Sequence, residues 1–216
     1  MDNSGIWVVK IGGSLLGSPA LAHWLDILVK ASDGPIIIVP GGGLFADVVR
    51  DAQQLTNMSD ATAHQLAVLA MDQFGRLLAS MNAQLQTVTN QSEILALGRQ
   101  PRTMVWLPSQ MVLAEDNIAK SWQVTSDSLS AWLANLLAAD QLILVKSKSL
   151  LCYEKSQSIA VQQLIDDGLL DSQFMHYIAQ KQYQTWLLNK ADYLAFEQGL
   201  ALSHLAHTGL QVQAIS

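Results

Sequence analysis

Several short runs of this sequence are apolar at nearly every residue, and that pattern narrows the possible folds more than any other feature. Residues 35–39 (PIIIV), 103–107 (TMVWL) and 142–145 (LILV) show no regular alternation of apolar and polar positions, and residues 6–11 (IWVVKI) break the run only at Lys10. A strand with one face in water alternates. A strand without alternation is buried on both faces, as in a parallel sheet covered by helices on each side. The stretches between the runs have helical spacing. Ser18-Pro19 offers a cap and a first-turn proline to a helix carrying Leu21, Trp24, Leu25 and Leu28 as far as Lys30. A second helix is expected over residues 44–55 and a long one over 62–86. The long helix would turn Leu66, Ala70, Phe74, Leu77, Leu78, Met81 and Leu85 inward and Gln65, Gln73, Arg76 and Ser80 outward. Residues 127–138, with Leu129, Trp132, Leu133, Leu136 and Leu137 inward, and residues 159–166, 172–180 and 192–207 complete the helices; 185–188 and 210–215 are further strands. Strand and helix alternate along the chain, which predicts an α/β fold with a mostly parallel sheet between helices, residues 1–216 forming a single domain.

Composition excludes several functions. Half of the 216 residues are hydrophobic and 14% are charged, so burial readily offsets chain entropy and a disordered chain is ruled out. Twelve Lys and Arg stand against 18 Asp and Glu, a net charge of −6 without any basic cluster, which argues against a nucleic-acid partner. No apolar run approaches the ~20 residues that span a bilayer, so no membrane partner is expected. The polar start Met-Asp-Asn-Ser-Gly is not a signal peptide, and Cys152, the sole cysteine, cannot form an internal disulfide; both point to a cytoplasmic setting.

In open α/β sheets ligands collect at the carboxyl ends of the strands, and four unusual groups fall there. Lys10-Ile11-Gly12-Gly13-Ser14 places a cation and two glycines at the end of the first run, able to close backbone N–H groups on an anion; a plain turn with a surface lysine is the alternative. Pro40-Gly41-Gly42-Gly43 enters a helix, and three successive glycines favour close approach of a ligand. Gly41, Gly43 and Ala46 also match a loose dinucleotide pattern, but Asp60, the acidic residue at the right distance, follows no strand. In Thr125-Ser126-Asp127-Ser128 the carboxylate is either a helix cap or a catalytic group. Lys146-Ser147-Lys148 brings two lysines out of a buried strand, either solvated or facing an anion. Two glycine loops, lysines and one carboxylate suit phosphoryl transfer, where catalysis is mostly positioning and charge neutralisation. His64 and Asp72 fall on the polar side of the long helix, open to reading as a solvent face, a dimer seam or an acceptor-binding stripe. Arg50, seven residues past Gly43, is either a solvated helix residue or a clamp for an acceptor phosphate.

VVKIGGSLL, IIIVPGGG before a helix, VTSDSLSAWLA and LILVKSKS, in that order, resemble the amino-acid kinase family over nearly the whole chain. The resemblance implies a three-layer αβα sandwich around a mainly parallel sheet of about eight strands, with ATP and Mg2+ as the donor complex and no metal ligands assigned to the protein. It implies that Lys10, Asp127 and Lys146 are catalytic, and that Gly12, Gly13, Ser14 and Lys146 or Lys148 hold donor phosphates. Gly41, Gly42, Gly43, Arg50, His64 and Asp72 would then shape the acceptor side. Within the family, GGGLFADVVR, AHQLAVLAMDQFG and SWQVTSD look most like the small kinases of methanofuran biosynthesis, whose acceptor is an aminomethylfuran-methyl phosphate. The helix AMDQFGRLLASMNAQL is similar to that of UMP kinases, which keeps UMP as the rival acceptor. A homodimer or larger homo-oligomer is expected. Many members carry Asp-Gly after the second lysine region, where this chain has Ser149-Leu150-Leu151-Cys152; a non-catalytic nucleotide- or anion-binding protein is therefore the alternative from another class.

Overall fold

The uninterrupted apolar runs form the middle of one eight-stranded sheet. The computed structural model describes residues 5–30, 34–153, 158–179, 183–198, 205 and 209–213. Its strands are β1 (Trp7–Ile11), β2 (Pro35–Pro40), β3 (Gln86–Val88), β4 (Arg102–Trp106), β5 (Gln141–Lys146), β6 (Ser158–Ala160), β7 (Gln184–Asn189) and β8 (Leu210–Gln213), in the spatial order β3-β4-β2-β1-β5-β7-β8-β6. All neighbouring strands are parallel except β7 and β8. The helices are α1 (Pro19–Lys30), α2 (Gly43–Thr56), α3 (Asp60–Ser80), α4 (Gln91–Leu97), α5 (Ser109–Val112), α6 (Ser126–Leu136), α7 (Val161–Asp166), α8 (Phe174–Ile178) and α9 (Tyr193–Gln198).

Side chains alternate across a strand, so each central strand feeds two cores. Val8, Ile37, Val39, Leu142 and Leu144 pack on one face with Leu129 and Leu133 of α6 and Phe174 of α8. Val9, Ile11, Ile36, Ile38, Ile143 and Val145 pack on the other with Leu21, Trp24, Leu25 and Leu28 of α1. The result is the expected three-layer arrangement with a mainly parallel sheet of eight strands. Lys10 shares the parity of Val8, and Lys146 that of Leu142 and Leu144, so both lysines leave the sheet on the α6 side. Since Lys10 pairs with Leu144, Lys146 stands one face-repeat further along β5.

Some element boundaries differ from the sequence reading. The long helix begins at Asp60 and stops at Ser80, because Asn82 closes a turn: its carbonyl accepts from Leu85 N and its side chain from Gln84 N. The buried arc of α3 keeps Ala70, Phe74 and Leu78 inward and Gln65, Gln73, Arg76 and Ser80 outward, as expected, but differs at its margins. Leu66 and Met81 are 36% and 44% exposed, whereas His64, placed on the polar side, is buried with Val68 and Met71. Leu136, expected inward, is exposed. β3, α4 and α5 appear where no element was expected; each is seven residues or fewer, too short to show a period. Residues 158–160 are strand rather than helix, and the helix expected over 172–180 is limited to α8. Of the segment 192–207, residues 190–192 form a 3-10 turn and α9 follows; residues 199–204, 206–208 and 214–215 lie outside the described residues. Among the described residues no helix is long and apolar enough to cross a membrane.

Candidate active site

Two lysines on one face of a sheet repel each other unless a carboxylate sits between them, and α6 supplies it. Asp127 is the second residue of α6 and is buried. Lys10 Nζ lies 2.9 Å from its Oδ1, off the line of a good hydrogen bond, and Lys146 Nζ donates to its Oδ2. All three side chains are nearly withdrawn from water. Burial alone would raise the Asp127 pKa; the charges of Lys10 and Lys146 outweigh it and hold the carboxyl down at about 2. Burial likewise pulls Lys146 down to about 8, with Lys10 pushing the same way against Asp127 and, more weakly, Asp171. Asp127 therefore stays ionised as the counter-charge of the lysine pair. Thr125, not Asp127, is the helix cap: its Oγ1 accepts from Asp127 N at 3.3 Å. The capping alternative for Asp127 falls away.

The glycine loops after β1 and β2 lie against one another. A Cβ on Gly13 would stand 2.1 Å from Gly43 N, and one on Gly41 would stand 2.4 Å from Gly13 N; Gly41 N donates to Ile11 O. Close approach of one backbone to another accounts for these two glycines before any ligand is considered. Gly12 differs. The atoms nearest a Cβ there are Val145 O at 3.4 Å and Lys10 Nζ and Ser14 Oγ at 3.5 Å, so its missing side chain leaves open a small cradle beside the lysine.

Two cavities flank this cluster. One, of about 480 Å³, is bounded by Gly13, Ser14, Gly41, Gly42, Gly43, Arg50, His64, Trp122 and Thr125, with apolar wall from Leu16, Val68, Met71 and Leu129. The other, also about 480 Å³, is bounded by Ser147, Leu150, Leu151, Tyr153, Leu187, Asn189, Asp192 and Leu210. They meet at a hydrogen bond of 2.7 Å between Ser14 Oγ and Ser147 Oγ, one serine from each. Ser14 follows the glycines after β1 and Ser147 follows Lys146, so the two cavities border the strand ends that carry the lysines.

The predicted site residues divide accordingly. Lys10, Asp127 and Lys146 come together, and Gly13, Ser14, Gly41, Gly42, Gly43, Arg50 and His64 share the first cavity. Lys148 does not join them: it is exposed and its Nζ donates to Asp167 O at 2.5 Å. Asp72 is outside the cavity as well, accepting from Ser109 N and Ser109 Oγ at the start of α5. Arg50 is held by Asp47 at 2.8 Å and stacks on Trp122, 4.5 Å from the ring centroid, while Trp122 Nε1 donates to Gln53. Burial lowers the His64 pKa, aided by the charge of Lys120 and opposed by a backbone hydrogen bond to Ser121, so its imidazole faces the cavity neutral.

Sequence reasoning missed Trp122, Ser147 and Asp171. Asp171 lies in the turn before α8 and accepts from Thr125 N (3.1 Å), Thr125 Oγ1 (2.6 Å), Ser128 N (3.0 Å), Ser128 Oγ and Gln173 N (3.1 Å). It is more than forty residues from Thr125 and Ser128, so no local spacing could announce it. Ser147 stands between the two lysines, and a neutral serine beside two charges carries no signal of its own.

Known proteins resemble this chain in sequence and in fold. A [5-(aminomethyl)furan-3-yl]methyl phosphate kinase of Methanocaldococcus jannaschii is 34% identical over 141 residues, which span 63% of this chain and 63% of that relative. The uridylate kinase of Archaeoglobus fulgidus superposes with a TM-score of 0.70 at 18% identity, covering 96% of this chain and 99% of that one. A UMP kinase of Bacillus anthracis gives 0.71 at 11% identity, covering 98% and 96%. At such identities the two structures share the fold. Residues 5–158 match the amino acid kinase family, a span that holds both glycine loops, Asp127 and Lys146, and the chain belongs to that family.

Proposed function

We propose that this chain transfers the γ-phosphoryl group of Mg·ATP to a small phosphate monoester, [5-(aminomethyl)furan-3-yl]methyl phosphate, giving a diphosphate and ADP. The observation that carries the reading is the meeting of two cavities at Ser14 and Ser147 beside Lys10, Asp127 and Lys146. A transfer between two bound molecules needs two sites with one shared point, and a cationic cluster at that point neutralises charge on the moving group. The residues present fit a polyphosphate. The cradle left by Gly12 lies beside the Lys10 ammonium, and Lys146 stands on the side of Ser147. Mg2+ enters with the nucleotide as part of the substrate.

The acceptor's chemistry follows from the state of Asp127. Paired with two lysines and held at about 2, its carboxylate has no affinity for a proton at neutral pH. A phosphate monoester, with a second pKa of about 6, arrives mostly as a dianion and needs no base. One of its oxygens forms the new P–O bond while the bond from the γ-phosphorus to the β,γ-bridging oxygen breaks and ADP leaves with the electron pair. Arg50, at the cavity wall, keeps guanidinium N–H groups beyond the one given to Asp47 and can hold the acceptor phosphate. The aminomethylfuran identity rests on the Methanocaldococcus relative.

The test is ADP release from Mg·ATP with and without the aminomethylfuran phosphate, in the wild type and in Lys10→Ala. Acceptor-dependent release, lowered on the order of 10²-fold in Lys10→Ala, is expected. Unchanged release in a folded Lys10→Ala removes the assignment, and nucleotide binding without any release points to the non-catalytic binding protein.

A further inference from the structure

A catalytic carboxylate near the start of a helix is only as well placed as the helix end that carries it. The N-terminal turn of α6 has free N–H groups and a partial positive charge, which a carboxylate from outside can satisfy. Asp171 does so from the turn before α8. Its Oδ2 takes the amides of Thr125 and Ser128 and the Thr125 hydroxyl, and its Oδ1 takes the Ser128 hydroxyl. Asp127 lies between those two anchored residues. The Thr125 hydroxyl donated to Asp171 also accepts from Asp127 N, so the chain of bonds reaches the catalytic residue's own backbone. The Gln173 amide fixes Asp171 in turn.

We infer that Asp171 is a positioning residue for phosphoryl transfer: it locks the start of α6 so that Asp127 stands between Lys10 and Lys146. The inference rests on the proposed role of that cluster. Asp171 itself borders neither cavity and hydrogen-bonds neither lysine; its bonds go to Thr125, at the wall of the first cavity, and to Ser128, so it acts through the start of α6 and through its charge. Lys146 feels three charges, those of Asp127 and Lys10 and, more weakly, that of Asp171; the two carboxylates favour its ammonium form and Lys10 opposes it. Removing the Asp171 charge moves Lys146 toward earlier deprotonation.

The experiment compares Asp171→Asn, Ser128→Ala, the double variant and Lys10→Ala, using Mg·ATP with [5-(aminomethyl)furan-3-yl]methyl phosphate. Misplacement by about 1 Å costs on the order of 10²-fold, so Asp171→Asn should lower kcat about 10- to 100-fold and leave both KM values within about twofold. The alkaline limb of its pH profile should move to lower pH, and the amides of Thr125 and Ser128 should exchange with deuterium faster. Ser128→Ala should lose less, and the double variant no more than Asp171→Asn, since both act on one link. A role in stability alone would lower Tm without moving kcat or the pH limb below the melting range, and that result overturns the inference. Should Asp171→Asn fail to fold, Ser128→Ala carries the same test: normal kcat with unchanged exchange at Thr125 rejects it. Inactive Lys10→Ala with normal kcat in the Asp171 and Ser128 variants discards the inference alone. Full activity in Lys10→Ala discards the underlying site as well.

Discussion

Asp127 is shared by two buried ammonium groups, and its removal has consequences for both folding and rate. Asp127→Asn leaves Lys10 and Lys146 facing each other without counter-charge, which should cost about 3–5 kcal/mol at pH 7 by urea denaturation. The difference from wild type should shrink as pH rises and Lys146 loses its proton. A variant as stable as wild type at pH 7 would show that the carboxylate does not neutralise the pair. On the proposed role of Lys146 at the phosphates, its titration sets a pH limit on the reaction. With its pKa near 8, the free enzyme loses the ammonium on the alkaline side, so kcat/KM should fall above about pH 8. Bound phosphates favour the charged form, so the limb in kcat should lie higher. Equal limbs in both profiles would remove Lys146 from the phosphate site. At this scale the sequence exposed charges and glycines, because each is unusual in its position. It could not expose Asp171 or the stack of Arg50 on Trp122, whose partners are brought together by the fold from distant stretches.

Each glycine loop can be tested against its neighbour. A methyl group on Gly13 has backbone 2.1 Å away and no flexible atom to displace, whereas one on Gly12 has ordinary contacts of 3.4–3.5 Å. Gly13→Ala should therefore lose about 1–3 kcal/mol of stability or more, read from thermal or urea unfolding. Gly12→Ala should fold normally and weaken ATP binding, because its methyl enters the cradle beside Lys10; calorimetric titration with ATP checks it. The opposite pattern, a stable Gly13→Ala and an unstable Gly12→Ala, would reverse the roles of the two positions. The central strands were legible because burial on both faces writes itself as unbroken apolar runs. The phase of α3 was legible only in part. His64 is a polar residue that the fold buries in a cavity wall, and Leu66 an apolar one that it leaves exposed, so hydrophobicity alone misplaced these two while setting Ala70, Phe74 and Leu78 inward. The short edge strand β3, QTV, with two exposed residues, carried no pattern to read.

For the whole molecule, the parallel order β4-β2-β1-β5 puts the ends of β1, β2 and β5 on one edge, which is why two glycine loops and two lysines separated by more than a hundred residues converge. Family membership was readable from the ordered motifs, and so was the candidate cluster of Lys10, Asp127 and Lys146; the two cavities and their junction at Ser14 and Ser147 were not, since side chains from many elements build them. The central claim is that this junction carries phosphoryl transfer onto a phosphate monoester. Its most direct test is phosphorus NMR of the products formed from Mg·ATP with equal concentrations of [5-(aminomethyl)furan-3-yl]methyl phosphate and UMP in one tube. The account predicts ADP and the aminomethylfuran diphosphate in equal amounts, with UMP largely unconsumed. UDP as the main new diphosphate would contradict the acceptor, and ATP left intact beside both acceptors would contradict the transfer itself.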